Sequence, residues 1–295
     1  MESAVAPTNA LTLAQVAASG ILLGGVYALL AGGLNLIFGV MRVINLAHGE
    51  LLMLGAYAAL GLFVLWGVPP LLALALIMPL LFGLGLLLQR LLVSRVVRQP
   101  PLTSLLLMFG VSLLLTGAAQ QAFTTNFRSV PYLSGSVDVA GLALSLPRLV
   151  AFGVAAVLSA AVYAYLRWSR WGKALRATAQ NPDVALMCGI DVDRARLLAF
   201  GLGAALAGAA GTLASFIFTI FPEMGGTYML KGFAVIVLGG LGSFGGAFAG
   251  AVLLGLFESF AAYATNAQAA EGVAYVLLFL VLLVKPSGLF GLREG

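Results

Sequence analysis

The chain has 295 residues, of which 62% are hydrophobic and 8% are charged, against roughly 25% charged in ordinary soluble domains. A water-soluble fold has too little interior to hide that much apolar surface, which excludes a soluble globular protein. The net charge of +5 does not point to nucleic acid, because the Lys and Arg residues flank apolar segments, where positive charge sets membrane orientation. The lone Cys188 and lone His48 exclude an intrachain disulfide and a Cys/His metal cluster.

In chain order, Met1 to Ala10 carry Glu2 and no Lys or Arg. That is unlike the basic start of a cleaved signal peptide, so the first apolar segment is expected to remain in the mature protein. Eight apolar segments follow, at about 11–40, 49–66, 70–93, 102–123, 149–166, 197–220, 232–258 and 271–285. Each is of the length needed to cross a hydrocarbon core roughly 30 Å thick. The expected fold is an all-α membrane protein, a polytopic bundle forming one domain over 1–295. Pro69-Pro70, Pro100-Pro101, Pro131, Pro147, Pro182, Pro222 and Pro286 punctuate the segment ends, and Pro79 predicts a kink inside the third.

Basic flanks set the orientation. Arg90, Arg95 and Arg98 mark 94–101 as cytoplasmic, and Arg167, Arg170, Lys173, Arg176, Arg194 and Arg196 do the same for 167–196. Residues 124–148 and the N-terminus then face outward. If segments six, seven and eight all cross, Lys285 and Arg293 fall on the wrong side. The seventh segment reads either as a full span or, through LGGLGSFGGAFAG (238–250), as a re-entrant hairpin of two half-helices returning to the external side. Only the hairpin restores parity; it leaves Arg128, Arg148 and Lys231 as the external basic residues and places 258–270 outside.

Small residues recur every four positions at Gly20, Gly24, Ala28 and Gly32, at Gly203, Ala207 and Gly211, and at Gly242, Gly246 and Gly250. Such ridges let helix backbones approach closely, within a subunit or across an interface. No internal repeat or soluble domain stands out.

Enzyme motifs are missing. The chain has no Gly-Asp dipeptide for an intramembrane aspartyl protease and no His-Glu-x-x-His zinc helix. Gly242-Ser243-Phe244-Gly245 looks like a nucleophile turn, but His48, the one possible base, is expected at the opposite end of the bundle. A Gly-x-x-x-x-Gly-Lys-Ser/Thr phosphate loop is also absent, so ATP and its magnesium are expected on a partner and no cofactor on this chain. A channel is the alternative class, but pore-lining charges are sparse; Glu50 and Glu258 are the nearest candidates, both close to segment ends.

Two polar stretches hold candidate functional residues. In 167–196, Asn181 is placed to cap a short helix begun by Pro182, with Asp183 in its first turn and Gly189 at its stop. An amphipathic helix there suits docking of a soluble partner, or lies among lipid headgroups. In NLAHGE (45–50), Asn45 is placed to cap the second membrane helix, with His48 and Glu50 in its first turn. The sharper alternative is an inner gate in which Arg42 and Glu50 attract each other in one state.

FGVMRVINLAHGELLMLGAY (38–57), GKALRATAQNPDVALMCGIDV (172–192) and KGFAVIVLGGLGSFGGAFAGAVLLGLFES (231–259), in this order, resemble the LivH-type permeases of the branched-chain amino acid ABC importers over nearly the whole chain. The resemblance implies a multi-pass subunit of the bacterial inner membrane. Its expected partners are a second related permease, two cytoplasmic ATP-binding subunits, a periplasmic solute-binding protein, membrane lipid and a small polar solute. It makes 174–190 the coupling segment, with Arg176 for charge contact, Ala179 and Gly189 for close approach and Asp183 for the helix start. Related permeases carrying urea or short amides share similar motifs, so the resemblance leaves the cargo among these.

Overall fold

The structure is a computed structural model that describes residues 10–285 and Gly288. Glu2, Pro286 and Arg293, used above, lie outside the described residues. Helices α1 (Ala10–Met41), α2 (His48–Trp66) and α3 (Pro70–Leu88) come first; α3 continues through a π turn (Gln89–Val93) into α4 (Ser94–Val96). After α5 (Pro101–Phe123) a short hairpin, β1 (Ser136–Val139) and β2 (Leu142–Ser145), leads into α6 (Leu146–Trp168). Then follow α7 (Arg170–Gln180), α8 (Pro182–Met187), α9 (Val192–Ala214), α10 (Met224–Gly239), α11 (Phe244–Ala264) and α12 (Ala267–Val284). Among the described residues eight helices are long and apolar enough to cross a membrane. Proline opens α3, α5 and α8, where its missing N–H costs no hydrogen bond.

The central helices α1 and α9 are buried over most of their length, whereas α5, α6 and α12 keep broad apolar faces exposed. Small residues make the central contacts possible. A Cβ on Gly20 would sit 2.7 Å from the carbonyl oxygen of Gly255, and one on Gly24 2.8 Å from the Cα of Val252. The glycine ridges therefore act inside this subunit. Gly250 packs in the same way against Val235, and Gly246 against Gly239. Gly242 does not belong with them: it lies in a turn with φ +84°, where the left-handed backbone requires glycine.

That turn corrects the reading of the seventh segment. The chain breaks at Gly240–Ser243, inside the glycine-rich stretch, but the two arms are unequal. The first, α10, has 16 residues and begins at Met224, in what the sequence assigned to a loop. The second, α11, runs 21 residues to Ala264 and is long enough to span. It is antiparallel to α1, with Gly32 against Phe244 and Gly20 against Gly255. Residues 258–270 therefore lie at the same end as the start of α1. Pro79 lies inside an unbroken α3, and the departure from α geometry falls instead at the π turn. Within 124–148 the β1–β2 hairpin turns on Ala140 (φ +56°) and Gly141 (φ +83°), the positive-φ pair of a tight two-residue turn.

An internal repeat is present. Ala28-Leu29-Leu30-Ala31-Gly32 in α1 matches Ala204-Ala205-Leu206-Ala207-Gly208 in α9. In the same register, Gly49, Met53, Leu54 and Ala58 of α2 match Gly225, Met229, Leu230 and Ala234 of α10. The packing follows the sequence: α3 lies antiparallel on α9, with Leu81 against Gly208 and Phe82 against Gly201, as α11 lies on α1. Since α1 and α3 run in one direction and α9 in the other, the triplets α1–α2–α3 and α9–α10–α11 are inverted copies, a pattern common in transporters.

Candidate functional site

The repeat positions two helix starts deep in the bundle. After α1 ends at Met41 the chain reverses at Arg42, a non-glycine residue at φ +53°, and returns through Val43–Ala47 before α2 begins at His48. His48 Nε2 donates to the Leu30 carbonyl at 3.1 Å, since a carbonyl can only accept. Leu30 lies eleven residues before the end of α1, about 16 Å along the helix. α2 thus starts far inside the bundle. There Gly49 meets Gly225, the second residue of α10, and neither backbone leaves room for a Cβ. The positive ends of two helix dipoles converge at this point.

Glu50 sits at the junction, 3% exposed. Its carboxylate faces the hydroxyls of Ser112 and Thr116 on α5, while Oε2 is buried without a hydrogen-bond partner. One turn on, Gln120 Nε2 donates to Glu223 Oε1 at 2.6 Å, just before α10. Ser112, Thr116 and Gln120, spaced at i, i+4 and i+8, form a polar stripe on a mostly apolar helix. The sequence reading missed this stripe, whose signal was that spacing.

The residues singled out near the junction are placed differently from expectation. Arg42 is exposed and does not pair with Glu50, which is buried. Asn45 does not cap α2; Ala47 occupies that position without a side-chain bond, and both Asn45 amide atoms are buried and unpartnered. Asn45 lies two residues before the cap position, and it is its backbone carbonyl that accepts, from His48 N at 3.3 Å. Ser243 caps α11 by accepting from Gly246 N at 3.1 Å, a structural role.

The 167–196 stretch folds as a corner of two capped helices. Ser169 Oγ accepts from Gly172 N and caps α7. Asn181 Oδ1 accepts from Asp183 N at 3.0 Å and Val184 N at 3.1 Å, capping α8 with Asp183 in its first turn. Gly189, at φ +79°, ends it. Arg176 is exposed, with Nη2 donating to the Arg167 carbonyl at 3.3 Å. Ala179 faces inward: it packs on a buried cluster that includes Leu175 and lines a cavity of about 390 Å³ with Asn35 and Gly242–Gly245. The outward apolar side chains are Val184, Leu186 and Met187, the last 87% exposed. Across the cavity, Asn35 Nδ2 donates to Ser243 O at 2.8 Å and Gly242 N donates to Asn35 Oδ1 at 2.6 Å. The α7 arm of the corner, the end of α6, the α10–α11 turn and α1 thus surround one cavity.

A second polar centre joins α1, α10 and α11. Lys231 Nζ lies 2.5 Å from Glu258 Oε1 and donates to the Tyr27 hydroxyl at 3.1 Å; that hydroxyl donates to Glu258 Oε2 at 2.7 Å. All three residues are buried, and the ammonium also lies over the Tyr27 and Tyr228 rings. The sequence placed Lys231 on an external flank and Glu258 near a segment end. A buried ion pair at membrane depth is costly unless fully partnered, and this one is. Among the described residues no three His, Cys, Asp or Glu side chains are grouped to hold a metal ion.

Comparison with known proteins agrees with this architecture. Residues 16–284 match the family described as the branched-chain amino acid transport system permease component. The chain is 30% identical to the permease protein BraD of the high-affinity branched-chain amino acid transport system of Pseudomonas aeruginosa, over 95% of this chain and 96% of that one. It is 31% identical to the permease protein LivH of the corresponding system of Salmonella typhimurium, over 94% of each. Against the probable LivH permease of Methanocaldococcus jannaschii it is 30% identical, over 92% of this chain and 90% of that one. The chain belongs to the family of branched-chain amino acid transport system permease components.

Proposed function

We propose that this permease imports branched-chain amino acids across a bacterial inner membrane as one subunit of an ATP-driven complex. Its partners are a second related permease, two cytoplasmic ATP-binding subunits and a periplasmic solute-binding protein. The basic end of the bundle is the cytoplasmic one, following the Lys and Arg bias.

The observation that carries the reading is the α7–α8 corner: capped at both helix starts, set at the basic end and exposing Val184, Leu186 and Met187. An apolar tip of this kind needs a soluble partner to cover it. A push on the corner reaches the α10–α11 turn and Asn35 through the shared cavity, and beyond it the paired helix starts at Gly49 and Gly225. Movement of one inverted triplet against the other there opens the bundle to alternate sides. Solute contacts on the path are weak, since tight binding would hold the cargo. The chain itself moves no covalent bond; ATP and magnesium act on the partner subunits.

The test is uptake of radiolabelled leucine into proteoliposomes holding the whole complex, with ATP inside and loaded binding protein outside. The proposal expects uptake that requires both. Leucine entry independent of ATP contradicts it.

A further inference from the structure

At the end of the bundle opposite the α7–α8 corner, a cavity of about 460 Å³ opens between α1, α6, α11 and α12. Its floor is the Tyr27–Lys231–Glu258 network, whose members satisfy one another. Val16, Leu23 and Phe218 supply apolar wall. Arg148 and Glu271 also line it, and neither makes a hydrogen bond or ion pair with another described residue. One unpaired cation, one unpaired anion and an aliphatic and aromatic wall therefore share one small space.

A ligand carrying only an anionic or only a cationic group would match one of these charges and leave the other facing it unpaired. A zwitterion matches both, and each resulting contact is a charge-assisted hydrogen bond. We propose that this cavity is a subsite for the zwitterionic head of an aliphatic α-amino acid. Arg148 takes the carboxylate, Glu271 the ammonium group, and Leu23 and Phe218 touch the side chain. The floor pair does not capture the cargo, because Lys231 and Glu258 are already bound to each other. A solute held at the rim by two partly hydrated groups can leave again, as transport demands. The proposal rests on the reading of the chain as an amino-acid permease and locates where its cargo first touches it.

The experiment measures ligand binding by saturation-transfer NMR to the complex of both permeases and the ATP-binding subunits in nanodiscs, without the solute-binding protein. The probes are leucine, leucinamide, which lacks the carboxylate, and 4-methylpentanoate, which lacks the ammonium group. Leucine is expected to bind about tenfold more tightly than either analogue, the size of one lost charge-assisted contact. Arg148→Gln should weaken leucine and 4-methylpentanoate and spare leucinamide; Glu271→Gln should weaken leucine and leucinamide and spare 4-methylpentanoate. Both positions lie at the rim, so the melting temperature should not move. Equal binding of the three probes, or leucine binding unchanged in both variants, overturns the subsite. Leucine uptake by the wild-type complex is scored separately: its absence with the probe pattern intact would refute import of leucine and leave the subsite standing.

Discussion

Gly49 and Gly225, each the second residue of its helix, meet backbone to backbone where α2 and α10 begin inside the bundle. The contact joins the two inverted triplets at their equivalent positions. No side chain fits between them: a Cβ on Gly225 would lie 3.0 Å from both the Glu50 nitrogen and its Oε1. Gly225→Val should lower stability by about 1–3 kcal/mol, as forced overpacking does, and abolish uptake. Gly226→Ala, at a neighbour with open space around it, should do neither. Thermal unfolding of the purified complex separates the two; equal melting of both variants would refute the close contact.

The Lys231–Glu258 pair gives a second prediction. Lys231→Met leaves a buried carboxylate without its cation and should cost about 3–5 kcal/mol. The double variant Lys231→Met with Glu258→Leu removes both charges and should recover most of that loss. Melting curves of the wild type and the two variants check this, and a stable single variant would mean that water already reaches Glu258.

Arg42 and Glu50 behave as separate groups. Arg42 is exposed and held at φ +53°, a backbone region that favours glycine, so Arg42→Gly should leave stability unchanged or raise it by about 1 kcal/mol, the relief of left-handed strain less the added backbone entropy. Glu50→Gln should slow uptake, because the carboxylate sits at the converging helix starts. Exchanging the two residues should not restore transport; rescue by the exchange would show that they pair in another state.

In a Cys188→Ser background, cysteines at Thr265 and Ala140, both exposed, should react with an impermeant reagent added outside cells, and one at Lys173 should not. Protection of Thr265 together with labelling of Ala140 would put α11 and α12 in the wrong orientation.

Much of this architecture was legible. Hydropathy marks the long helices because each must bury its backbone polar groups within itself. Asn181-Pro182-Asp183 is a local capping signal and was read correctly, and the glycine run around Gly240 marked a real break. Depth was not legible. Hydropathy reports the length of an apolar run and not where it starts, so the buried return through Val43–Ala47 looked like a surface turn and Asn45 like its cap. Lys231 and Glu258 sit on different helices and meet only after α10 folds back along α11. The repeat was hidden because its matches are Gly, Ala, Leu and Met, which in a chain this apolar recur by chance. A small residue such as Ala179 suits close approach on either face of a helix, so its facing is not legible from sequence; in the structure it packs beside Leu175, while Val184, Leu186 and Met187 are the exposed apolar side chains.

The central claim is that the α7–α8 corner carries the motion of the ATP-binding subunits into the bundle. Its most direct test is ATP hydrolysis by the reconstituted complex, with and without loaded binding protein, together with the amount of ATP-binding subunit that copurifies. Met187→Glu places a charge on the exposed apolar tip and should release the ATP-binding subunit and abolish stimulation. Ala179→Trp fills the inner cavity instead; it should retain the subunit and lose stimulation. Full copurification and normal stimulation with Met187→Glu would contradict the assignment of this corner as the coupling element.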